Sequence, residues 1–259
     1  MDLNLNGKKA LVTGASKGIG LGIAKRLVLE GCHVLLVARN EDDLKNAQNN
    51  LSELNQNVTV DFKAMDLSIT AEVESLAREN IDLDILVNNA GAIPAGNIDR
   101  VDEDTWRAAW DLKLFGYISL CRGIYANMSK RQEESGQRVI LNIIGAGGER
   151  PSSGYIAGAG ANAGLMAITR AMGGVSRKHG IRVLGINPGQ IVTERLETMQ
   201  RVLATEKFGD SERWKEMWDT RYPPGNVEHI ADASAFLVSD LSSNTTGTIV
   251  TIDGGHCAR

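Results

Sequence analysis

Short apolar runs rich in β-branched residues alternate along the chain with longer segments whose apolar positions recur every three or four residues. A period of two marks a strand and a period near 3.6 marks a helix. Strands are therefore expected at 9–13, 33–38, 58–63, 85–88, 138–143, 182–187 and 248–252, with helices at 19–30, 41–54, 70–80, 105–130 and 155–176 between them. The strands are too continuously apolar to leave one face in water, which is the pattern of a parallel sheet covered by helices on both faces. The expected fold is α/β: a single-domain, doubly wound parallel sheet of about seven strands, covering 1–259. No repeat and no linker rich in Pro, Gly or Ser divides it. One segment breaks the rhythm, a long polar and aromatic insert at 193–226.

Composition narrows the class. With 259 residues, 42% of them hydrophobic, there is material for one substantial core. The net charge of −4 carries no basic stripe, so nucleic acid is not an expected partner. No apolar stretch approaches the roughly 20 residues that span a bilayer. The opening residues lack the basic, apolar, small-residue order of a secretory signal. A cytoplasmic protein acting on a small molecule is the expectation. Cys32, Cys121 and Cys257 are scattered and odd in number, so they read as buried small side chains rather than a disulfide framework. His33, His179, His229 and His256 share no ligand spacing, and no metal is expected. Glu41, Asp42 and Asp43 read as first-turn acids that suit a helix dipole.

The chemistry begins between the first strand and helix, at Thr13-Gly14-Ala15-Ser16-Lys17-Gly18-Ile19-Gly20. Glycines there let the backbone turn tightly and approach a pyrophosphate, whose charge rests on the helix N-terminus. The spacing Gly-x3-Gly-x-Gly resembles the short-chain dehydrogenase/reductase family. So do Asp66-Leu67 after the third strand, Asn88-Asn89-Ala90-Gly91 after the fourth, Asn187-Pro188-Gly189 with Val192-Thr193 after the sixth, and Asp253-Gly254-Gly255 near the end. The resemblance covers essentially the whole chain. It implies a Rossmann-type fold and a nicotinamide dinucleotide held by Gly14, Ser16, Lys17, Gly18, Ile19 and Gly20. It also implies an adenine pocket at Asp66 and Leu67, and contacts from Asn89, Ala90, Gly91, Pro188, Gly189, Val192 and Thr193. At the end of the second strand, where an NAD-binding chain needs a carboxylate for the ribose 2′-hydroxyl, stand Ala38 and Arg39. A guanidinium pairs with a 2′-phosphate, and Lys17 adds a second cation, so NADP(H) is favoured over NAD(H). The alternative is that both are solvated surface cations.

The resemblance also implies an Asn–Ser–Tyr–Lys catalytic tetrad, and all four places have changed: Lys113, Gly145, Gly158 and Asn162 occupy them. Lysine and asparagine have exchanged sites, and Tyr155 lies three residues before the lost tyrosine. The expectation is that Tyr155 gives the proton, Lys113 the cation and Asn162 the hydrogen bond. Against it stands the plainer reading, a snorkelling Lys113 and a Tyr155 packed in a loop. Ser152 or Ser153 replaces the missing serine, or merely forms a turn. Tyr155-x6-Asn162 and Glu149-Arg150 also resemble the enoyl-carrier-protein reductases. The leading expectation is an NADP(H)-dependent interconversion of carbonyl and secondary alcohol on a small to medium apolar substrate. Enoyl C=C reduction and a catalytically silent cofactor-binding protein are the alternatives.

Two further features bear on partners. Gly158, Gly160, Ala161, Ala163 and Gly164 form a run of small residues where the resemblance implies packing against a second subunit, hence a homodimer or homotetramer; packing within one chain against the cofactor is the alternative. The insert carries Met199, Phe208, Trp214, Met217, Trp218 and Tyr222, and the spacing of Trp214, Met217 and Trp218 predicts one helical face. Such a face either packs into the core or lines a substrate site, where Arg195 or Arg221 would meet a carboxylate.

Overall fold

The computed structural model describes residues 2–131 and 136–258, with backbone only at 202, 203 and 206. Seven parallel strands form one sheet in the order β3-β2-β1-β4-β5-β6-β7. They are β1 (Lys9–Thr13), β2 (His33–Ala38), β3 (Val60–Ala64), β4 (Ile85–Asn88), β5 (Arg138–Ile143), β6 (Ile181–Pro188) and β7 (Ile249–Ile252). Among the described residues, eight α-helices cover it: α1 (Gly18–Leu29), α2 (Glu41–Ser52), α3 (Thr70–Glu79), α4 (Glu103–Trp110), α5 (Gly116–Lys130), α6 (Ile156–Ser176), α7 (Glu194–Phe208) and α8 (Val227–Val238). The doubly wound α/β architecture is the expected one.

Alternation along β1 shows why both faces must be covered. Ala10 and Val12 join Ile23, Leu27 and Ala235 of the layer containing α1 and α8, whereas Leu11 joins Leu76, Leu120 and Ile124 of the layer containing α3 and α5. The strand order reverses between β1 and β4, which leaves a crevice at their carboxyl ends, where ligands bind in this class of sheet.

Several expectations are corrected. The helix expected at 105–130 is two helices joined by a π-helical turn, Asp111–Phe115. A π turn this short leaves the apolar spacing within each flanking helix unchanged and shifts only the phase between them, which the pattern does not resolve. Within the insert, α7 is a regular helix, and Ser211–Met217 is a 3₁₀ segment that stops before Trp218. Trp214, Met217 and Trp218 therefore do not share one α-helical face; Trp214 and Trp218 meet edge to face at 5.2 Å instead. Helix α8 has no counterpart among the expected elements. Cys32 and Cys121 are buried, as expected, but Cys257 is only half-buried. No described helix is long and apolar enough to cross a membrane.

Candidate active site

The crevice is stitched together by Thr13 and Asn89. The Thr13 hydroxyl oxygen accepts the backbone N–H groups of Asn89 (2.9 Å) and Ala90 (3.0 Å), and Asn89 Nδ2 donates to the Thr13 carbonyl at 3.0 Å. This fixes the ends of β1 and β4 side by side. The loop through Ser16 and Lys17 then enters α1, whose N-cap residue, Lys17, supplies no side-chain cap. The first amides of this 12-residue helix, from Gly18, Ile19 and Gly20, therefore lack a side-chain acceptor, and their dipole favours an anion. A Cβ on Gly20 would lie 2.2 Å from the Gly14 carbonyl oxygen, so only glycine closes this turn. Across the opening, the nearest atom to a Cβ on Gly18 would be the Thr193 methyl at 3.5 Å. The residues present thus fit a dinucleotide pyrophosphate.

The adenosine end is less simple than its motif. Leu67 is buried, and the Asp66 carboxylate accepts from Ser68 N (3.0 Å) and Ser68 Oγ (2.7 Å). The Ser68 amide hydrogen bond holds the Asp66 carboxyl below its usual range, with help from the Ser68 hydroxyl and the Arg39 charge. Arg39 is exposed at the end of β2. Lys17 Nζ lies 3.1 Å from Asp43 Oδ2, so its charge is shared with the first turn of α2.

On the other wall, Pro188 closes β6 opposite Ile252 and the Gly189 amide donates to the Ile252 carbonyl at 2.9 Å. Val192 N donates to the Gly225 carbonyl at 2.8 Å, and Thr193 Oγ1 caps α7 by accepting from Leu196 N.

The altered tetrad positions converge at the end of β5. The π turn carries Lys113, whose Nζ donates to the Ile144 carbonyl at 2.5 Å. Burial, reinforced by the Arg195 charge, pushes the Lys113 amine down to about 8. Tyr155 is the N-cap residue of α6, packed with Ile93, Trp106 and Trp110. A Cβ on Gly158 would lie 2.0 Å from Tyr155 Cε1 and 2.1 Å from Cζ, so the Tyr155 ring fills the space beside Gly158. Asn162 does the same for Gly145: a Cβ there would lie 2.8 Å from Asn162 Nδ2. Gly145 also has φ of +140°, where a serine would be strained. Asn162 is 2% exposed, and its Oδ1 has no hydrogen-bond partner among the described residues.

Burial raises the Tyr155 phenol, and the Arg195 charge opposes that shift. Arg195, one of the two insert arginines that the sequence offers to a substrate carboxylate, thus also acts on the tyrosine. Its guanidinium donates to the carbonyls of Gly91 (3.1 Å) and Ile93 (2.7 Å), spanning the crevice from α7. Arg221 is paired with Asp219 at 3.0 Å. Ser152 forms a turn, its hydroxyl oxygen accepting from Gly154 N, and Ser153 is exposed. Glu149 accepts from Thr251 Oγ1 at 2.5 Å and Asn187 Nδ2 at 3.2 Å, and Arg150 donates to the His256 carbonyl. These contacts tie the loop to the C-terminal segment. Among the described residues, no three of His, Cys, Asp or Glu come together as metal ligands.

The Lys113 amine gives a pH prediction. The folded state holds this proton less tightly than the unfolded chain, where the ordinary value is 10.5. Between about 8 and 10.5 the unfolded state binds more protons, so this group's contribution to stability rises with pH there and is constant below about 8. In thermal melts across that window, wild type is expected to gain on Lys113→Met. A constant difference would contradict the assigned environment.

Comparison with known proteins agrees with this geometry. The family described as short chain dehydrogenase matches residues 8–203. The 3-oxoacyl-acyl-carrier-protein reductase FabG of Chlamydia muridarum is 32% identical, over 98% of this chain and 99% of its own. Gluconate 5-dehydrogenase of Gluconobacter oxydans is 30% identical, over 97% of this chain and 95% of its own. The crystal structure of L-sorbose reductase from Gluconobacter frateurii, complexed with NADPH and L-sorbose, has a TM-score of 0.91 at 29% identity, with all of both chains covered.

Proposed function

The chain belongs to the short-chain dehydrogenase family of oxidoreductases, and on that premise we propose that it interconverts a carbonyl and a secondary alcohol with NADP(H), using Tyr155, Lys113 and Asn162. One observation carries the reading. The two positions emptied to glycine, Gly158 and Gly145, are filled by the Tyr155 ring and the Asn162 amide. A phenol beside the position of the family's tyrosine, and a hydrogen-bonding amide beside that of its serine, support this reading.

A bound nicotinamide supplies the hydride. The Tyr155 phenol donates its proton to the carbonyl oxygen as negative charge develops there. The Asn162 Nδ2–H would be the donor that orients that oxygen, since Oδ1, which lacks a partner among the described residues, can only accept. Lys113, fixed on the Ile144 carbonyl, provides positive charge below the site. The small to medium substrate lies under α7 and the 3₁₀ segment, with Trp218 and Met217 as the apolar candidates, because Trp214 is already buried beneath Arg201.

NADP(H) rather than NAD(H) is supported by the absence of a carboxylate at Ala38 and the presence of Arg39; the NADPH-to-NADH affinity ratio of Arg39→Gln against wild type reads this. A homodimer or homotetramer in the cytoplasm belongs to the same reading. Its support is a groove of about 400 Å³ around Ile98, Trp106, Trp110 and Phe115, with Ile98 68% and Phe115 53% exposed. Sedimentation tests it. The small residues of α6 have partners within the chain already, such as Trp110 against Gly160.

The decisive substitutions are Tyr155→Phe and Lys113→Ala. Loss of a positioned general acid costs roughly 10²- to 10⁴-fold in turnover, with NADPH affinity retained in Tyr155→Phe. Near-unchanged turnover in both variants would reject the assignment.

A further inference from the structure

We propose that the substrate is a carbonyl compound bearing a carboxylate, and that Arg195 is the residue that binds this carboxylate, with Lys113 beneath. The inference rests on the reading of Tyr155 as proton donor.

Arg195 reaches across the crevice to the Gly91 and Ile93 carbonyls, while the Lys113 stem runs along the Cα face of the same glycine: a Cβ on Gly91 would lie 2.9 Å from Lys113 Cδ and 3.7 Å from Nζ. Two cations thus converge on one residue. Among the described residues neither has a carboxylate within ion-pair distance. Of the acids, Glu197 is engaged by Arg201, and Glu149 by Thr251 and Asn187. Arg195 also sits in the first turn of α7, the end at which a helix dipole disfavours cations. Carbonyl oxygens occupy only two of its five N–H donors and one of the three on Lys113, leaving the rest for a ligand. A guanidinium matches a carboxylate bidentately, and an anion between like charges removes their repulsion. Arg221, the other cation of the insert, is already paired with Asp219. Against the background of burial, which raises the Tyr155 phenol and lowers the Lys113 amine, the Arg195 charge lowers both.

The test titrates NADPH-saturated enzyme with phenylacetate and with the uncharged isostere phenylacetamide, by calorimetry, in wild type, Arg195→Gln and Arg221→Gln. Wild type and Arg221→Gln are expected to prefer the acid by about tenfold or more, the range of a charged hydrogen bond. Arg195→Gln is expected to lose the preference while binding NADPH as before. Equal affinities in wild type, no binding of either probe, a preference that survives Arg195→Gln, or a tenfold loss of NADPH affinity in that variant would each overturn the proposal. Turnover of phenylpyruvate against phenylacetone separates the two readings. Equal reduction of both removes the carboxylate site and leaves the carbonyl reductase. Acid-selective binding with neither compound reduced leaves the site and removes the Tyr155 mechanism.

Discussion

Asn162→Lys, which restores the lysine of the family's ordinary motif, is expected to destabilise the protein rather than improve it. Asn162 is 2% exposed, and its head group stands over Gly145, next to the Ile144 carbonyl that anchors Lys113. A second ammonium there is buried and faces a like charge, while Glu149, directly after the Ala146–Gly148 turn that Asn162 packs on, is already held by Thr251 and Asn187. An uncompensated buried charge costs about 3 kcal/mol or more, which in a chain of this size lowers Tm by roughly 6–12 °C. Adding Lys113→Asn relieves the repulsion and gives the new lysine the neighbour that the family's arrangement provides. The double variant is expected to recover about 2 kcal/mol, a coupling energy within the range for residues in contact. Additive losses would show that the two sites are not coupled and that no exchange of roles took place.

Gly158→Ala carries the second large effect. A single methyl at this position meets the hydroxyl-bearing end of the Tyr155 ring, Cε1 and Cζ, at 2.0–2.1 Å. The ring belongs to the apolar cluster around Ile93, Ala157 and Ala161, and its backbone is fixed by the Ser152 carbonyl and by the bridge to Gly96. The phenol therefore has to leave its place. Turnover is expected to fall roughly 10²- to 10³-fold, the contribution of a positioned general acid. Stability should fall by about 1–3 kcal/mol from overpacking. The glycine loop lies at the far end of the crevice, so NADPH affinity is expected to stay within a few-fold, measured by fluorescence titration. Full turnover in Gly158→Ala would mean that the Tyr155 ring does not deliver the proton.

The sheet was readable because its signal is local. The strands expected at 9–13, 33–38, 85–88 and 138–143 coincide with those observed, each an apolar β-branched run buried on both faces. What escaped the pattern did so for identifiable reasons. The π turn around Lys113 preserves the apolar spacing of the helices on either side. A 3₁₀ segment repeats at i, i+3 as an α-helix nearly does, so Trp214 and Met217 looked helical while the turn to Trp218 was invisible. Helix α8 did carry a signal: Asn226 and His229 form a reciprocal cap, and Ile230, Ala231, Ser234, Ala235 and Val238 line one face. It approaches α1 closely at Gly22, where the missing side chain makes room for Val227. In the site, the glycine loop and the altered tetrad positions were nameable because the family resemblance could be followed through motif order and spacing. The reach of Arg195 to Gly91 and Ile93, about a hundred positions away, was not, because sequence spacing says nothing of which side chain crosses a crevice.

Mixing enzyme and NADPH with a panel of carbonyl compounds in a single-turnover experiment, following the cofactor absorbance, tests the whole account most directly. The site as described predicts tight binding of NADPH followed by its rapid oxidation, fastest with an oxo acid. NADPH that binds and remains reduced with every carbonyl offered would contradict it, leaving a cofactor-binding protein in which the rearranged tyrosine, lysine and asparagine do no chemistry.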